Sequence, residues 1–224
     1  MKNKILLLTA THGDEAFSIP VVKKLSKTFK FDWLISNQKA YELKKRFFER
    51  DLNRSGPGNP NSKLYERRRA FELIKLASQY DYVIDIHGTI ADTGLFVILS
   101  DPNWRNIEFA KQINLKNVVL WPSLKPTGPL TQFIPNSLEI ECGSKNSPLV
   151  AKKLKTVLFE FLSGVKSKQP KQYYIVSGQF RSKTKLELKD FTPTRYKNQT
   201  IIPLMPGQYQ QNSCYLLQKL NDTL

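Results

Sequence analysis

Short apolar runs that recur between helix-length amphipathic stretches constrain this chain most. Ile5 to Ala10, Phe31 to Ser36, Asp81 to Ile86, Gly94 to Ser100, Asn117 to Trp121 and Ser137 to Cys142 each read as a strand. The first is apolar at nearly every position, as strands buried on both faces in parallel sheets are. Between them, Ile19 to Phe29, Ser62 to Gln79 and Asn103 to Ile113 carry apolar residues at helical spacing, and Val150, Leu154, Val157, Leu158 and Phe161 mark a closing helix. Alternating strands and helices predict an α/β fold with a mixed, largely parallel sheet flanked by helices. Pro20 is tolerated in a first helical turn, and Ser18 is placed to cap it. The stretch from Gln38 to Phe47 reads as a short helix or an irregular connection, and Leu64, Phe71, Ile74 and Ala77 are expected to form the inward stripe of the Ser62 to Gln79 helix.

The strand ends carry the chemistry. The chain has only two histidines, His12 and His87, and both follow predicted strands. In open parallel sheets that is where ligands bind, beyond the carboxyl ends of the strands. His12 and Glu15 lie three residues apart on the first strand-to-helix loop. Together with His87 they offer two imidazoles and a carboxylate, a donor set suited to a catalytic zinc that keeps one position open. Alternation places Asp85 beside His87 on one strand face, where a carboxylate fixes the tautomer of a ligating imidazole. The same alternation puts Glu139 and Glu141 on one face of their strand. Either could be a general base, and an exposed edge strand is the bland alternative. Arg46, Asn53 and Arg54 surround a Gly- and Pro-rich loop and would make an anion pocket if it gathers them. The long Pro-rich stretch from Pro122 to Pro135 reads as an irregular lid or binding loop.

Composition narrows the alternatives. The formal net charge is +16, from 35 Lys plus Arg against 19 Asp plus Glu. An excess of this size can mark a nucleic-acid binder. Here the bases are dispersed, with Arg67 to Arg69 inside a predicted helix and Lys166 to Lys171 in a linker, so no nucleic-acid partner is expected. No apolar run approaches the length a membrane helix needs, and Lys2 to Ala10 is too short for a signal peptide. Cys142 and Cys214 make no disulfide framework. These features predict a cytoplasmic protein without membrane attachment and leave its oligomeric state open.

Four separate motifs then stand in order: His12-Gly13-Asp14-Glu15; Arg46 with Asp51-Leu52-Asn53-Arg54; Asp85-Ile86-His87-Gly88-Thr89; and Glu139-Ile140-Glu141-Cys142-Gly143. Over residues 1 to about 163 the chain resembles the succinylglutamate desuccinylase/aspartoacylase family, part of the wider zinc carboxypeptidase-like fold group. The resemblance implies one Zn2+ per chain, held by His12, Glu15 and His87, with Asp85 and Asp51 supporting the ligands from behind. It implies Glu141 as general base, with Glu139 secondary, Arg46 polarising the scissile carbonyl, and Asn53 and Arg54 gripping the substrate carboxylate. The implied reaction is hydrolysis of the amide of a small N-acyl amino acid, and a metallocarboxypeptidase acting on a short peptide is the alternative. A nucleic-acid-binding protein is the distant one.

Two departures stand out. Thr131 and Gln132 occupy the region where members that handle aspartate or succinate carry an arginine, which argues against those specificities. Residues 172–224 are short for the family's C-terminal part. Their runs Tyr173 to Val176, Lys185 to Leu188, Thr200 to Leu204 and Cys214 to Leu217 read as strands. A catalytic domain over 1–165 and a small β-domain over 172–224 are expected. In the family such a domain lends the site an aromatic hydroxyl, for which Tyr209 is the candidate and Tyr215 the alternative.

Overall fold

A computed structural model of the chain describes residues 3–123, 125–183, 186–208 and 210–220. Strands β1 (Ile5–Thr9), β2 (Asp32–Ile35), β3 (Tyr82–Thr89), β4 (Gly94–Leu99), β5 (Asn117–Leu120), β6 (Ser137–Gly143), β7 (Gln172–Arg181), β8 (Thr194–Tyr196), β9 (Gln199–Leu204) and β10 (Ser213–Lys219) form one sheet, in the order β2-β1-β3-β6-β4-β5-β7-β10-β9-β8. The pairs from β2 through β6 are parallel, as are β4 with β5 and β5 with β7, whereas β4 runs antiparallel to β6. This is the mixed, largely parallel sheet expected from the sequence. The C-terminal strands form an antiparallel β region that extends the same sheet, because β7 pairs with β5 and β10 with β7. The helices are α1 (Ser18–Leu25), α2 (Gln38–Glu42), α3 (Tyr65–Ala77), α4 (Trp104–Gln112) and α5 (Pro148–Leu162). No helix among the described residues is long and apolar enough to cross a membrane.

Apolar burial holds the two faces of the sheet. Leu7, Ile84, Ile86, Val97, Leu138 and Ile140 pack on one side with Val22 of α1, Phe109 of α4 and Leu158 of α5. Leu6, Leu8 and Val83 pack on the other with Ala70, Leu73 and Ala77 of α3. Alternation along β3 thus divides Ile84 and Ile86 from Val83, and Asp85 and His87 follow Val83.

Several local expectations differ. Phe17 precedes α1 without a side-chain cap, and Ser18 lies inside the helix, buried with its hydroxyl unpaired. The helix also stops at Leu25 rather than Phe29, because Thr28 and Phe29 both donate backbone N–H to the Leu25 carbonyl in a tightened turn. The inward face of α3 is Glu66, Ala70, Leu73 and Ala77, while Leu64 and Phe71 are exposed. A buried carboxylate causes that rotation. Glu66 accepts backbone N–H groups from Phe48 (2.7 Å), Glu49 (3.1 Å) and Arg50 (3.1 Å), and the Asn37 amide at 3.3 Å. Burial of a carboxylate is tolerated when its lone pairs are filled this way. Residues 186–188 are irregular rather than a strand, and Lys185 lies outside the described residues. β8 was not foreseen; its three residues are too few for a readable alternation. β6 is no edge strand: it lies between β3 and β4 and is buried along its length.

Candidate metal centre and active site

The turn after β1 is built with no slack. Ala10 is fully buried at φ 49°, in the left-handed region that a residue with a Cβ adopts only when its surroundings impose it. A Cβ on Gly13 would lie 2.1 Å from the Ala40 carbonyl carbon, so no side chain fits where this turn packs on α2. The Gly13 N–H also donates to the Arg46 carbonyl at 3.2 Å, which joins the His12 turn to the segment carrying Arg46.

His12 and His87 converge on Glu15. Nδ1 of His12 lies 2.9 Å from Glu15 Oε1, and Nδ1 of His87 lies 3.4 Å from Glu15 Oε2. The three ligand-capable atoms fall within 4.8 Å of one another, and all three side chains are buried. Behind them, Nε2 of His12 meets Asp51 Oδ1 at 3.1 Å and Nε2 of His87 meets Asp85 Oδ2 at 3.0 Å. Asp85 is itself held by the Thr11 hydroxyl at 2.7 Å, and Glu15 by the Gly88 N–H at 2.9 Å. A carboxylate on Nε2 keeps the proton there and turns the Nδ1 lone pair toward the centre. The donor set therefore fits zinc: two neutral imidazole nitrogens and a carboxylate oxygen, with room for a further ligand.

Charge coupling is strong around this cluster. Burial works to lower the pKa of His12, but Glu15 and Asp51 outweigh it and hold the group above its ordinary value. His87 is likewise raised, with Asp85 and Glu15 overcoming burial. Burial would raise both Glu15 and Asp51, yet the two imidazoles pull Glu15 below the usual carboxylate range, and His12, Arg46 and Arg54 draw Asp51 down. Glu141 goes the other way: burial, opposed by His87 and reinforced by Glu15 and Glu139, pushes it up to about 8.

A cavity of about 470 Å³ opens beside the cluster. The structure brings His12, Glu15, Arg46, Asn53, Arg54, His87, Glu139 and Glu141 together around it, with Tyr215 on its C-terminal side. Tyr209 lies outside the described residues. Asp51 and Asp85 stand behind the histidines. Arg46 lies 3.4 Å from both Glu15 and Asp51. Asn53 is buried and partly committed, since its Oδ1 accepts the Leu130 N–H at 3.2 Å and its Nδ2 reaches Glu139 Oε2 at 3.5 Å. Arg54 donates to the Asn53 carbonyl at 2.7 Å.

The two strand glutamates are now distinguishable. Glu139 is tied down by Ser100 at 2.9 Å and Thr131 at 2.6 Å. Glu141 stands directly across from His87 in the β3–β6 register and faces the cavity. Sequence reasoning missed several contributors. Glu66 shapes the loop from Phe48 to Arg50, and Gln208 accepts from the Thr89 hydroxyl, the Ile90 N–H at 3.0 Å and the Ala91 N–H at 3.3 Å. Their partners lie far away in the chain, so no local pattern signals them.

Residues 1–157 match the succinylglutamate desuccinylase/aspartoacylase catalytic domain. The chain is 29% identical over 157 residues to a probable aspartoacylase of Prochlorococcus marinus subsp. pastoris, covering 63% of this chain and 53% of that protein. It is 32% identical over 116 residues to a probable aspartoacylase of a Nostoc species, covering 44% and 40%. The chain spans about half the length of the curated relatives it matches. In fold it is similar to murine aminoacylase 3, with a TM-score of 0.79 at 16% identity, covering 97% of this chain and 95% of that one. It is also similar to the succinylglutamate desuccinylase of Chromobacterium violaceum, with a TM-score of 0.70 at 16% identity, covering 98% and 85%. With most of its length matched to the catalytic domain, the chain belongs to the succinylglutamate desuccinylase/aspartoacylase family.

Proposed function

We propose that this chain is a zinc-dependent amidohydrolase that removes the acyl group from a small N-acyl amino acid. The observation that carries the reading is the convergence of both histidine Nδ1 atoms on Glu15, each Nε2 being backed by its own aspartate. Bound there, zinc would supply Lewis-acid polarisation and acidify a water to a pKa of about 7.

The residues of the chain do the rest. Glu141, buried across from His87, takes a proton from the attacking water and returns it to the leaving nitrogen as the C–N bond breaks, releasing a carboxylic acid and an amino acid. Arg46 is placed to hold the charge that develops on the carbonyl oxygen. Arg54 and Asn53, which line the cavity, would be the donors for the substrate carboxylate. In this reading residues 1–165 supply the reacting groups, and described residues of the C-terminal part close one side of the cavity. Gln179, Met205, Gln208 and Tyr215 line that side, which favours a small molecule over a peptide laid along an open groove.

Elemental analysis of purified wild type beside His87→Ala tests the centre. About one zinc per chain, lost in the variant, is expected; wild type that takes up no zinc on reconstitution would remove the basis for the reading. Glu141→Gln should keep the metal and lose all but about 1% of turnover, since general-base catalysis contributes roughly 100-fold or more.

A further inference from the structure

The cavity has two chemically unlike sides. Arg46 is tied to the β1 side through Glu15 and Asp51. Across the sheet, where β4, β5 and β10 approach one another, Ile98, Trp121, Met205 and Tyr215 line the cavity and belong to one apolar cluster. The Trp121 and Tyr215 rings meet edge to face with centroids 4.5 Å apart, a rigid aromatic shelf. Beside it stands Glu139, opposite Ile98 in the β4–β6 register. The Glu139 carboxyl oxygens accept from Ser100, Thr131 and Asn53, so the polar group next to the shelf presents acceptors rather than donors. Arg46, Arg54 and Lys125 are the cationic side chains among the described residues around the cavity, and Lys125 is an exposed residue of the irregular loop after Pro122.

Resting on the amidohydrolase reading, we propose that the second group of the substrate, the one not held on the arginine side, is uncharged and apolar or aromatic, and that Trp121 selects it. A second carboxylate placed there would lose its water to an apolar wall and meet the acceptor oxygens of Glu139 without gaining a donor. An apolar side chain or an apolar acyl chain meets neither penalty.

The test compares kcat/KM of the zinc-loaded protein for N-acetyl-L-phenylalanine, N-octanoylglycine and N-acetyl-L-aspartate, beside calorimetric titration of the same compounds into the Glu141→Gln protein. One of the two apolar compounds is expected to exceed the aspartate compound by about tenfold or more, the scale on which apolar pockets discriminate. Which of them leads identifies whether the shelf takes the side chain or the acyl chain. Trp121→Leu should reduce that preference several-fold while its thermal midpoint stays near wild type, and Trp121→Arg should shift it toward the aspartate compound. Preference of wild type for N-acetyl-L-aspartate overturns the proposal, and its loss in Lys125→Ala would make Lys125 the reader instead. An unchanged preference in both Trp121 variants also overturns it. Failure of the amidohydrolase reading looks different: nothing is hydrolysed, and the titrations alone then decide whether the shelf ranks apolar ligands above the dicarboxylate.

Discussion

Asp85 offers the sharpest check on how the metal centre is held. It is fully buried and accepts from His87 Nε2 at 3.0 Å and from the Thr11 hydroxyl at 2.7 Å. In Asp85→Asn the side-chain oxygen can still accept from His87, and the new amide can donate to Thr11, whose hydroxyl reverses its role. Geometry survives and charge is lost. Hydrogen bonds to charged groups contribute about 1.5–3 kcal/mol and neutral ones about 0.5–1.5 kcal/mol, so the variant forfeits roughly 1 kcal/mol. That is about a fivefold weakening of zinc binding, with 1.4 kcal/mol per tenfold. Asp85→Leu removes this acceptor and leaves the buried Nε2–H with only Glu139 Oε2, at 3.7 Å beyond hydrogen-bond reach, at a cost of about 1–3 kcal/mol. The loss of affinity should then lie within the roughly 10–100-fold range of such supporting carboxylates. Competition against a chromogenic zinc chelator measures both constants at one pH, with circular dichroism as the control for folding. If both folded variants bind zinc within twofold of wild type while His87→Ala does not bind, Asp85 does not position the ligand and the reasoning fails.

Other perturbations probe the scaffold. Glu66→Ala should lower unfolding free energy by about 3 kcal/mol or more, because three backbone N–H groups lose a charged acceptor; limited proteolysis should then cut near Phe48 to Arg50, and a stable, uncleaved variant would refute the role. Gln208→Ala should lower kcat more than it raises KM by loosening the turn that follows His87, with recovery in Gln208→Glu because a carboxylate accepts the same donors; no recovery would count against that coupling. Asp190 is pushed up to about 6, chiefly by burial, with Asp92 adding and the Met205 N–H opposing. A carboxyl whose folded pKa lies above its unfolded value binds its proton more tightly when folded, so its contribution is greatest at low pH and falls as pH rises from about 4 to 6. Urea unfolding of Asp190→Asn against wild type at pH 4.5 and pH 7.5 should therefore show the variant gaining about 2 kcal/mol at the higher pH, discounted for partial exposure. An equal difference at both pH values would contradict the burial argument.

The sequence by itself determined the order of strands and helices from β1 to α5, because those elements bury one face each and their periodicities differ. It also determined that both histidines stand at strand ends, and that Asp85 shares a face with His87 and Glu139 one with Glu141, since side-chain alternation is a property of the extended backbone. Local patterning misread the face of α3, because Glu66 turns inward to satisfy N–H groups of Phe48 to Arg50, some sixteen to eighteen residues away. It misplaced the cap of α1 and the strand around residues 186–188, where no long-range pairing was visible to correct it. Only the tertiary structure set Glu141 opposite His87 in the β3–β6 register and bound Glu139 to Ser100 and Thr131. Only it set Asp51 behind His12 and joined the C-terminal strands to the sheet beside the cavity. The physical reason is common to these cases: hydrogen bonding and burial pair groups by distance in space, and residues such as Asn53 and Glu139, separated by 86 positions, meet only after the sheet has formed.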